Sequence, residues 1–301
     1  MPILRSFYTR LTLTWGFSIR HKGTSAAQPA YILPPSTTVV GAFLYPLLRA
    51  MDQLGIRIFE GREDYYGKHR LITPIIKYFL EETKVASASL TSREDSLKNT
   101  GLTTHQEFGR LVTAPYRSGG GWESARKTIL FSEEFYRKGI TQAIAVQGIG
   151  VTYGPGALIE LIWVFDAENI CNKLKIKPGE FDKIAEKTVH GVIRVGSKES
   201  LVAVDYEKTL YDKNVVVLKP GERFKTRFYV EKRCVDPIDR HLVSEITLPG
   251  LNGEPVVYYI SARIASNTLI VPQPAGYEPH YTLLESCKAY KLSNNVIGVG
   301  R

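Results

Sequence analysis

The pattern of apolar and polar residues at the start of the chain predicts a strand followed by a helix. From Ile3 to Trp15 apolar positions alternate with polar ones, several of them threonines, which is typical of a strand. From Thr38 to Gln53 apolar residues recur at helical spacing, which predicts a helix with one face packed on a sheet. The predicted buried face consists of Val40, Phe43, Leu44, Leu47, Leu48 and Met51.

The residues before this helix resemble a helix entry. Pro34 and Pro35 keep the preceding chain extended, and Ser36 or Thr37 is expected to accept a hydrogen bond from a free helix N–H. Inside the helix, Pro46 predicts a kink because its ring removes one backbone donor.

The next part of the chain predicts one strand and one insertion. The apolar run from Leu71 to Leu80 indicates a buried strand, which Pro74 would place at a sheet edge or a bulge. Residues Glu81 to Lys127 have no sustained period and contain a triple glycine, so they are predicted to form an insertion that protrudes from the core.

Strand and helix patterns return after the insertion. Ala143 to Val151 and Leu158 to Phe165 are β-type runs joined by turn-forming residues, which predicts a hairpin. Pro178 to His190 has the spacing of a second, short helix, and Val192 to Val195 and Leu201 to Asp205 are predicted strand pieces. The order strand, helix, strand, strand, helix, strand is that of an α+β, ferredoxin-like (RRM-like) core spanning residues 1–205.

Beyond residue 206 the pattern changes to short β-type runs separated by proline and glycine turns, which predicts a smaller, β-rich C-terminal part over residues 206–301. The predicted runs are Asn214 to Leu218, Arg223 to Lys232, Val256 to Ile264 and Thr268 to Val271.

Composition and charge narrow the function classes. The 301 residues carry a formal net charge of +9, which favours a polyanionic partner. No apolar run is long enough to span a bilayer and no signal peptide is recognisable, so we expect a soluble, cytoplasmic protein without a membrane partner. The three cysteines, Cys171, Cys234 and Cys287, lie far apart and are expected to be core thiols of a reducing cytoplasm.

Known motifs for cofactors and metals do not match. No glycine-rich stretch ends in Gly-Lys-Ser/Thr, so an ATPase is disfavoured. The glycines from Gly148 to Gly154 lack both the spacing and the following helix of a dinucleotide site. The six histidines are scattered without metal-ligand spacing, so we expect neither a cofactor nor a metal.

One loop is a candidate binding site for phosphate groups and bases. Arg20, His21 and Lys22 follow the first strand, with Thr24 and Tyr31 shortly after. A cationic loop beside a sheet can neutralise phosphates, and a tyrosine can stack on a base. The alternative is a solvated loop without a ligand.

Two further motifs occur in order along the chain. Tyr31 to Leu48 contains Pro-Pro-Ser-Thr-Thr followed by Val-Val-Gly-Ala-Phe-Leu, and Arg194 to Val202 contains Gly-Ser-Lys-Glu. The first resembles the start of the first helix, and the second the glycine-lysine-glutamate turn before the last core strand, of the Cas-five family of CRISPR-associated proteins, within the repeat-associated RAMP superfamily. The resemblance covers about Met1 to Tyr206 and is greatest to the archaeal subtype I-A form. The superfamily's C-terminal glycine-rich loop is reduced here to Gly298-Val299-Gly300-Arg301.

The resemblance implies a non-catalytic subunit of a type I interference complex that holds the 5′ handle of the crRNA. Its implied partners are a Cas-seven-type backbone subunit, a Cas-eight-type large subunit and, as a further candidate, the small subunit. The insertion Glu81 to Lys127 would be the family's thumb. By position, the residues implied to contact RNA are Arg20, His21, Lys22, Thr24, Ser36, Thr37, Gly196, Ser197 and Lys198, with Arg110, Arg117, Arg126 and Lys127 on the thumb. A plain turn with a solvated ion pair remains the alternative for residues 196–199.

Two other functions stay open at the level of sequence. The first is a metal-independent endoribonuclease that processes the CRISPR repeat RNA, with His21 or Lys22 as acid and Tyr31 helping to activate the 2′-hydroxyl. Neighbouring residues 21 and 22 tend to point in opposite directions on an extended loop, which favours binding over cleavage. The second is a β-rich interaction protein whose charge only confers solubility.

Overall fold

The computed structural model describes residues 2–14, 16–19, 30–56, 64–71, 73, 75–91, 104–113, 145–153, 158–196, 200–265, 269–272 and 277–300. Its helices are α1 (Ser36–Gln53), α2 (Ile76–Glu81), α3 (Ala167–Leu174) and α4 (Pro178–Thr188). Its strands up to the last one before α3 are β1 (Leu4–Leu13), β2 (Gly16–Phe17), β3 (Asp64–Tyr66), β4 (His69–Leu71), β5 (Thr83–Thr91), β6 (Thr104–Thr113), β7 (Ala145–Tyr153) and β8 (Leu158–Asp166). The later strands are β9 (Val202–Val204), β10 (Leu210–Asp212), β11 (Val216–Leu218), β12 (Arg223–Lys225), β13 (Val230–Glu231), β14 (Val235–Pro237), β15 (Ser244–Pro249), β16 (Pro255–Ile260), β17 (Ala262–Ala265), β18 (Leu269–Pro272), β19 (His280–Leu283), β20 (Lys288–Lys291) and β21 (Ile297–Gly300).

The fold is mixed α/β with several antiparallel sheets, and its centre is a sheet in the order β10-β1-β8-β5, with β9 also paired to β1. All the pairs in it are antiparallel. Helix α1 connects towards β5, and α3 and α4 follow β8, so each helical connection joins two strands of this sheet.

One face of the central sheet packs on the helices. Phe7 of β1 stacks 5.3 Å from Phe43 of α1, and Phe165 of β8 lies 5.9 Å from Phe181 of α4. Trp163 fills the space between them and is fully buried. Aromatic pairs of this kind add stability beyond the area that they bury.

The opposite face of the central sheet is covered by the C-terminal part of the chain. Tyr8, Val85 and Ile162 point to this face and form a buried cluster with Phe228 and Tyr290. Because the sheet is buried on both faces, all nine residues of β8 are buried, which explains its nearly continuous apolar sequence.

A buried acidic residue anchors this second layer. Glu160 of β8 is inaccessible to solvent, accepts hydrogen bonds from the Tyr8 hydroxyl at 2.7 Å and from Arg10 at 3.0 Å, and forms an ion pair with Arg227 at 2.6 Å. Burial, together with the Glu160 charge, raises the pKa of Tyr8 well above its usual value. A buried carboxylate is tolerable only with such partners, so the Glu160 network joins the C-terminal part to the core.

The predicted boundary at residue 206 therefore does not separate two sheets. Strand β10 completes the edge of the central sheet beside β1, and β17 and β18 continue a sheet that contains β6, β7 and β2. Residues 206–301 are β-rich, as predicted, but they pack onto the core as a second layer.

Two predictions, for residues 71–80 and for residues 81–127, are corrected. The run Leu71 to Leu80 is not a strand, because only Leu71 belongs to β4 and residues from Ile76 onward form α2, with Phe79 and Leu80 buried. A short run of apolar residues fits either period, so it could not decide between strand and helix. Glu81 to Lys127 is not wholly an insertion either, because β5 is a buried strand of the central sheet.

Strand β5 is not recognisable in the sequence because it contains alanines and serines, which have no strong preference for strands. The connection that departs from the central sheet runs from residue 92 to residue 157, between β5 and β8. Its described part is the antiparallel ribbon of β6 and β7, in register from His105 with Tyr153 to Thr113 with Ala145.

The predicted hairpin between the runs at 143–151 and 158–165 is wrong, although both strands exist. Strand β7 pairs with β6 and β2, whereas β8 pairs with β1 and β5. Turn-forming residues between two strands indicate a change of direction, but consecutive strands do not always pair.

Other predictions of elements are confirmed. The first strand is β1, and every residue of the predicted apolar helix face is buried in α1. The second predicted helix is α4, and strands form within the predicted C-terminal runs. Helix α3 was not predicted; the side chain of Asp166 accepts hydrogen bonds from the Glu168 and Asn169 N–H groups at its start.

The expectation of three free core thiols is corrected. Cys234 and Cys287 form a disulfide across 53 positions of sequence, within the C-terminal layer. Cys171 of α3 is a buried thiol, and burial raises its pKa to about 11. Spacing along the sequence cannot reveal which distant cysteines meet in the fold.

Candidate nucleic-acid interface

The two ends of the basic loop meet at a defined place in the fold. The Tyr31 N–H donates a hydrogen bond of 2.9 Å to the Ile19 carbonyl, which closes the base of the segment 20–29. Arg20, His21, Lys22 and Thr24 lie within that segment and outside the described residues. The described residues Ile19 and Tyr31 thus define where the loop begins and ends.

The predicted glycine turn lies directly beside this loop base. Gly196 has a φ of +97°, and a Cβ at this position would stand 2.6 Å from Cγ1 of Ile19 and 2.9 Å from the Ser18 carbonyl oxygen. On the far side of the turn, the Ser200 hydroxyl accepts a 2.9 Å hydrogen bond from the Ser18 N–H. Only glycine meets both demands, a left-handed φ and a close approach.

The fold therefore brings two of the predicted segments together, although they are about 175 residues apart in sequence. Ser197 and Lys198 lie outside the described residues, immediately after Gly196. Exposed backbone N–H groups at such a turn can bind phosphate oxygens.

The start of α1 differs from the prediction, because no side chain caps it. The helix is capped by Pro35, without a side-chain cap hydrogen bond, and the Pro35 carbonyl accepts from the N–H groups of Thr38 and Val39. Ser36 is 5% exposed and its hydroxyl lies 3.3 Å from that of Tyr229, so its side chain faces the interior. Thr37 is partly exposed at the start of the helix.

Tyr229 is the residue that sequence reasoning missed here. Its hydroxyl is fully buried within 3.1 Å of the Pro34 and Ala86 carbonyl oxygens, and its backbone N–H donates to Ala88. Burial raises its pKa well above the usual value, which keeps the hydroxyl protonated as a donor. Within a run of strand-forming residues, nothing in the sequence marks this tyrosine as the support of the helix entry.

The remaining predicted residues are distributed as follows. Arg110 lies on β6, opposite Gly148 of β7 in the ribbon. Arg117, Arg126 and Lys127 lie outside the described residues. Tyr31 is half-buried next to the loop base, and burial raises the pKa of its hydroxyl.

The described residues contain neither a metal-binding cluster nor a membrane-spanning helix. Among these residues no group of three or more His, Cys, Asp or Glu side chains is arranged to hold a metal ion. No helix among them is long and apolar enough to cross a membrane.

Comparisons with known proteins agree on one family. No protein-family model matches the chain. Two curated proteins of Saccharolobus solfataricus, named CRISPR system aCascade subunit Cas5 1 and CRISPR-associated protein Cas5 3, are each 22% identical over 278 residues, which cover 89% of this chain and 93% of the relative. A crystal structure of a CRISPR protein from Archaeoglobus fulgidus shares the fold, with a TM-score of 0.56, 17% identity and 99% coverage of both chains.

The fold and these relatives place the chain among proteins similar to CRISPR-associated proteins. The family that it resembles is Cas5, because both curated relatives have that name and the similarity extends over nearly their whole length. The family resemblance expected from residues 31–48 and 194–202 is thus confirmed.

Proposed function

We propose that this protein is a non-catalytic crRNA-binding subunit of a type I, subtype I-A interference complex, acting in the cytoplasm and holding the 5′ handle. The observation that carries this proposal is the contact of Gly196 with Ser18 and Ile19, which places a glycine turn beside the base of the Arg20-His21-Lys22 loop. A turn that offers N–H groups and a loop that offers cations together match the chemistry of an RNA backbone.

The topology of the central sheet supports an RNA-binding core. With β1, β5, β8 and β10 numbered from one to four along the chain, their order in the sheet is four-one-three-two, with helices after the first and third. This order supports a ferredoxin-like (RRM-like) core, which is part of the proposal. The analogy concerns the fold and supports the function only together with the loop and the turn.

Assembly with other subunits is part of the proposal. One curated relative is named as a subunit of an archaeal Cascade. In this chain the ribbon of β6 and β7, with Arg110, would be the thumb that contacts a Cas-seven-type backbone subunit. A Cas-eight-type large subunit and the small subunit would contact other surfaces.

We favour binding over the alternative, a metal-independent endoribonuclease. A base that activates the 2′-hydroxyl needs a pKa near the working pH, whereas burial raises the pKa of Tyr31. A raised pKa lowers the fraction of Tyr31 that is deprotonated, so Tyr31 is a poorer base for activating the 2′-hydroxyl.

The test is a binding and cleavage assay with labelled repeat RNA, without divalent metal and across a salt series. We expect intact RNA to be bound, and binding to weaken when Arg20, His21 and Lys22 are all changed to alanine. Each lost phosphate contact should lower the slope of log affinity against log salt by about 0.7, so the variant should lose about 1 to 2 units of slope.

A matched control removes three exposed cations from the C-terminal layer, with Arg223, Lys225 and Lys288 changed to alanine. This control should bind like the parent if the loop is the site. Equal losses in both variants would mean that only net charge matters. Discrete metal-free cleavage by the parent that disappears in the loop variant would replace the proposal with the endoribonuclease.

A further inference from the structure

Two exposed tyrosines, each packed against a histidine or arginine side chain, lie near the glycine turn. This strip consists of Tyr45, His190, Arg194 and Tyr206. Tyr206 is 74% exposed, and one face of its ring stacks on His190 at a centroid distance of 4.4 Å and an angle of 25°. On the outer face of α1, Tyr45 is 46% exposed, with the Arg194 guanidinium 5.8 Å from its ring centroid. Both rings are thus held on one side while part of each faces solvent.

The strip is held rigidly by backbone contacts. Gly191 lies so close to α1 that a Cβ there would stand 2.7 Å from Cβ of Pro46. Arg194 forms a β-bridge with Leu201, and Gly196 follows it by two residues at the loop base. The strip and the proposed phosphate-binding turn therefore belong to one short, well-supported structure.

We propose that Tyr206 and Tyr45, positioned by His190 and Arg194, stack on unpaired bases of the RNA whose backbone binds at the loop and the Gly196 turn. The inference rests on the proposed function and extends it from phosphate binding to base contacts. Single-stranded RNA is recognised mainly by aromatic rings and guanidinium planes that stack on splayed bases. A ring already fixed on one face loses little freedom when a base stacks on the other.

A protein partner is the competing occupant of this surface. Ile193 and Leu201 are each 51% exposed beside Arg194, and exposed apolar residues with tyrosine and arginine also occur at protein interfaces. Two observations favour RNA. Each tyrosine ring lies against a histidine or arginine side chain. The strip also reaches Gly196, which packs on Ser18 and Ile19, the residues just before the cationic loop. The experiment below separates the two occupants.

The first measurement is the affinity of the full chain for single-stranded repeat RNA, with Tyr206→Ala and Tyr45→Ala. We expect each to lose about tenfold in affinity, as for removal of one base–aromatic stack, with an unchanged salt slope because no phosphate contact is lost. Tyr206→Phe should bind like the parent because it keeps the ring. Tyr277→Ala removes another exposed tyrosine, from the C-terminal layer, and should have no effect.

The second measurement repeats the titration on RNA with single abasic positions. At the position that stacks on Tyr206, the parent should weaken and Tyr206→Ala should show no further loss. Equal affinities of the parent and both alanine variants for intact RNA would overturn the inference while leaving handle binding in place. Unchanged RNA binding with lost assembly onto the backbone subunit would assign the strip to a protein partner, and a parent that binds no RNA would end both proposals.

Discussion

At the scale of single residues, Tyr229 makes contacts that the sequence does not indicate. It belongs to the C-terminal layer, yet its hydroxyl lies between the Pro34 and Ala86 carbonyls and next to Ser36, at the point where α1 begins. The N-terminal segment that includes the candidate interface is thus supported by a residue about 195 positions away.

We expect Tyr229→Phe to lower the free energy of unfolding by about 1–2 kcal/mol, because the ring remains but two buried carbonyl groups lose a donor. Urea denaturation measures the change. Tyr277→Phe, at a tyrosine that is 64% exposed, is the control and should stay within about 0.5 kcal/mol of the parent. A Tyr229→Phe protein as stable as the parent would show that the hydroxyl does not support the helix entry.

At the scale of elements, the sequence predicted what depends on local period and missed what depends on distant partners. Helices α1 and α4 follow from apolar spacing within one element. The partners of β7 and β8 do not, because each pairs with strands far away in sequence. Strand β5 was missed because it is built of small residues that suit a crowded site between layers.

The same limit applied to the candidate interface. The basic loop was recognised from local composition and the glycine turn from the family resemblance. The packing of Gly196 on Ser18 and Ile19, just before the loop, became apparent only in the fold. Ser36 or Thr37 was expected to cap the helix, whereas no side chain caps it and the Ser36 hydroxyl faces Tyr229 in the interior. Exposed Tyr45 and Tyr206 could not be distinguished in sequence from core tyrosines.

The C-terminal glycines, which the sequence left without a role, belong to an element contact. Strand β21 passes so close to β5 that a Cβ on Gly300 would stand 1.8 Å from the Lys84 carbonyl oxygen, and one on Gly298 would stand 2.7 Å from Val85. These residues form an ordered strand paired with β20.

We expect Gly300→Ala to destabilise the protein by about 1–3 kcal/mol. The new Cβ would collide with the backbone carbonyl of Lys84, so β21 or β5 must shift. Thermal or urea unfolding measures it. Gly179→Ala in α4 is the matched control, because a Cβ there meets nothing within 4 Å and alanine favours the helix. That control should be equal to the parent or more stable by up to about 1 kcal/mol; a similar loss in both variants would contradict the close contact.

At the scale of the whole molecule, the C-terminal layer packs on the core and adds β10 to the edge of its central sheet. It covers the second face of the central sheet through Phe228 and Tyr290, and it is joined to it through Arg227 and Glu160. The loop base and the glycine turn are built on β1 and its neighbours, so the stability of this layer determines the stability of the candidate interface.

Removing the disulfide measures how much the stability of the protein depends on the C-terminal layer. Cys234 and Cys287 close a loop of 53 residues, for which chain entropy gives a stabilisation of about 4 kcal/mol in the usual model. We expect the double change to serine to lower the free energy of unfolding by about 2–4 kcal/mol, and a reductant to destabilise the parent but not the variant. Cys171→Ser is the control for the loss of a thiol, and its effect should not depend on reductant.

The two-layer arrangement also predicts how the variant without the disulfide unfolds. Because the layers share the buried cluster around Ile162, both should unfold in one transition. Tryptophan fluorescence, to which the buried Trp163 contributes, and far-ultraviolet circular dichroism should then give the same midpoint. RNA affinity measured well below that midpoint should equal that of the parent, since the disulfide lies in neither the loop nor the turn. Separate transitions for the two probes would instead make residues 206–301 an independent unit and restore the domain boundary that the sequence predicted.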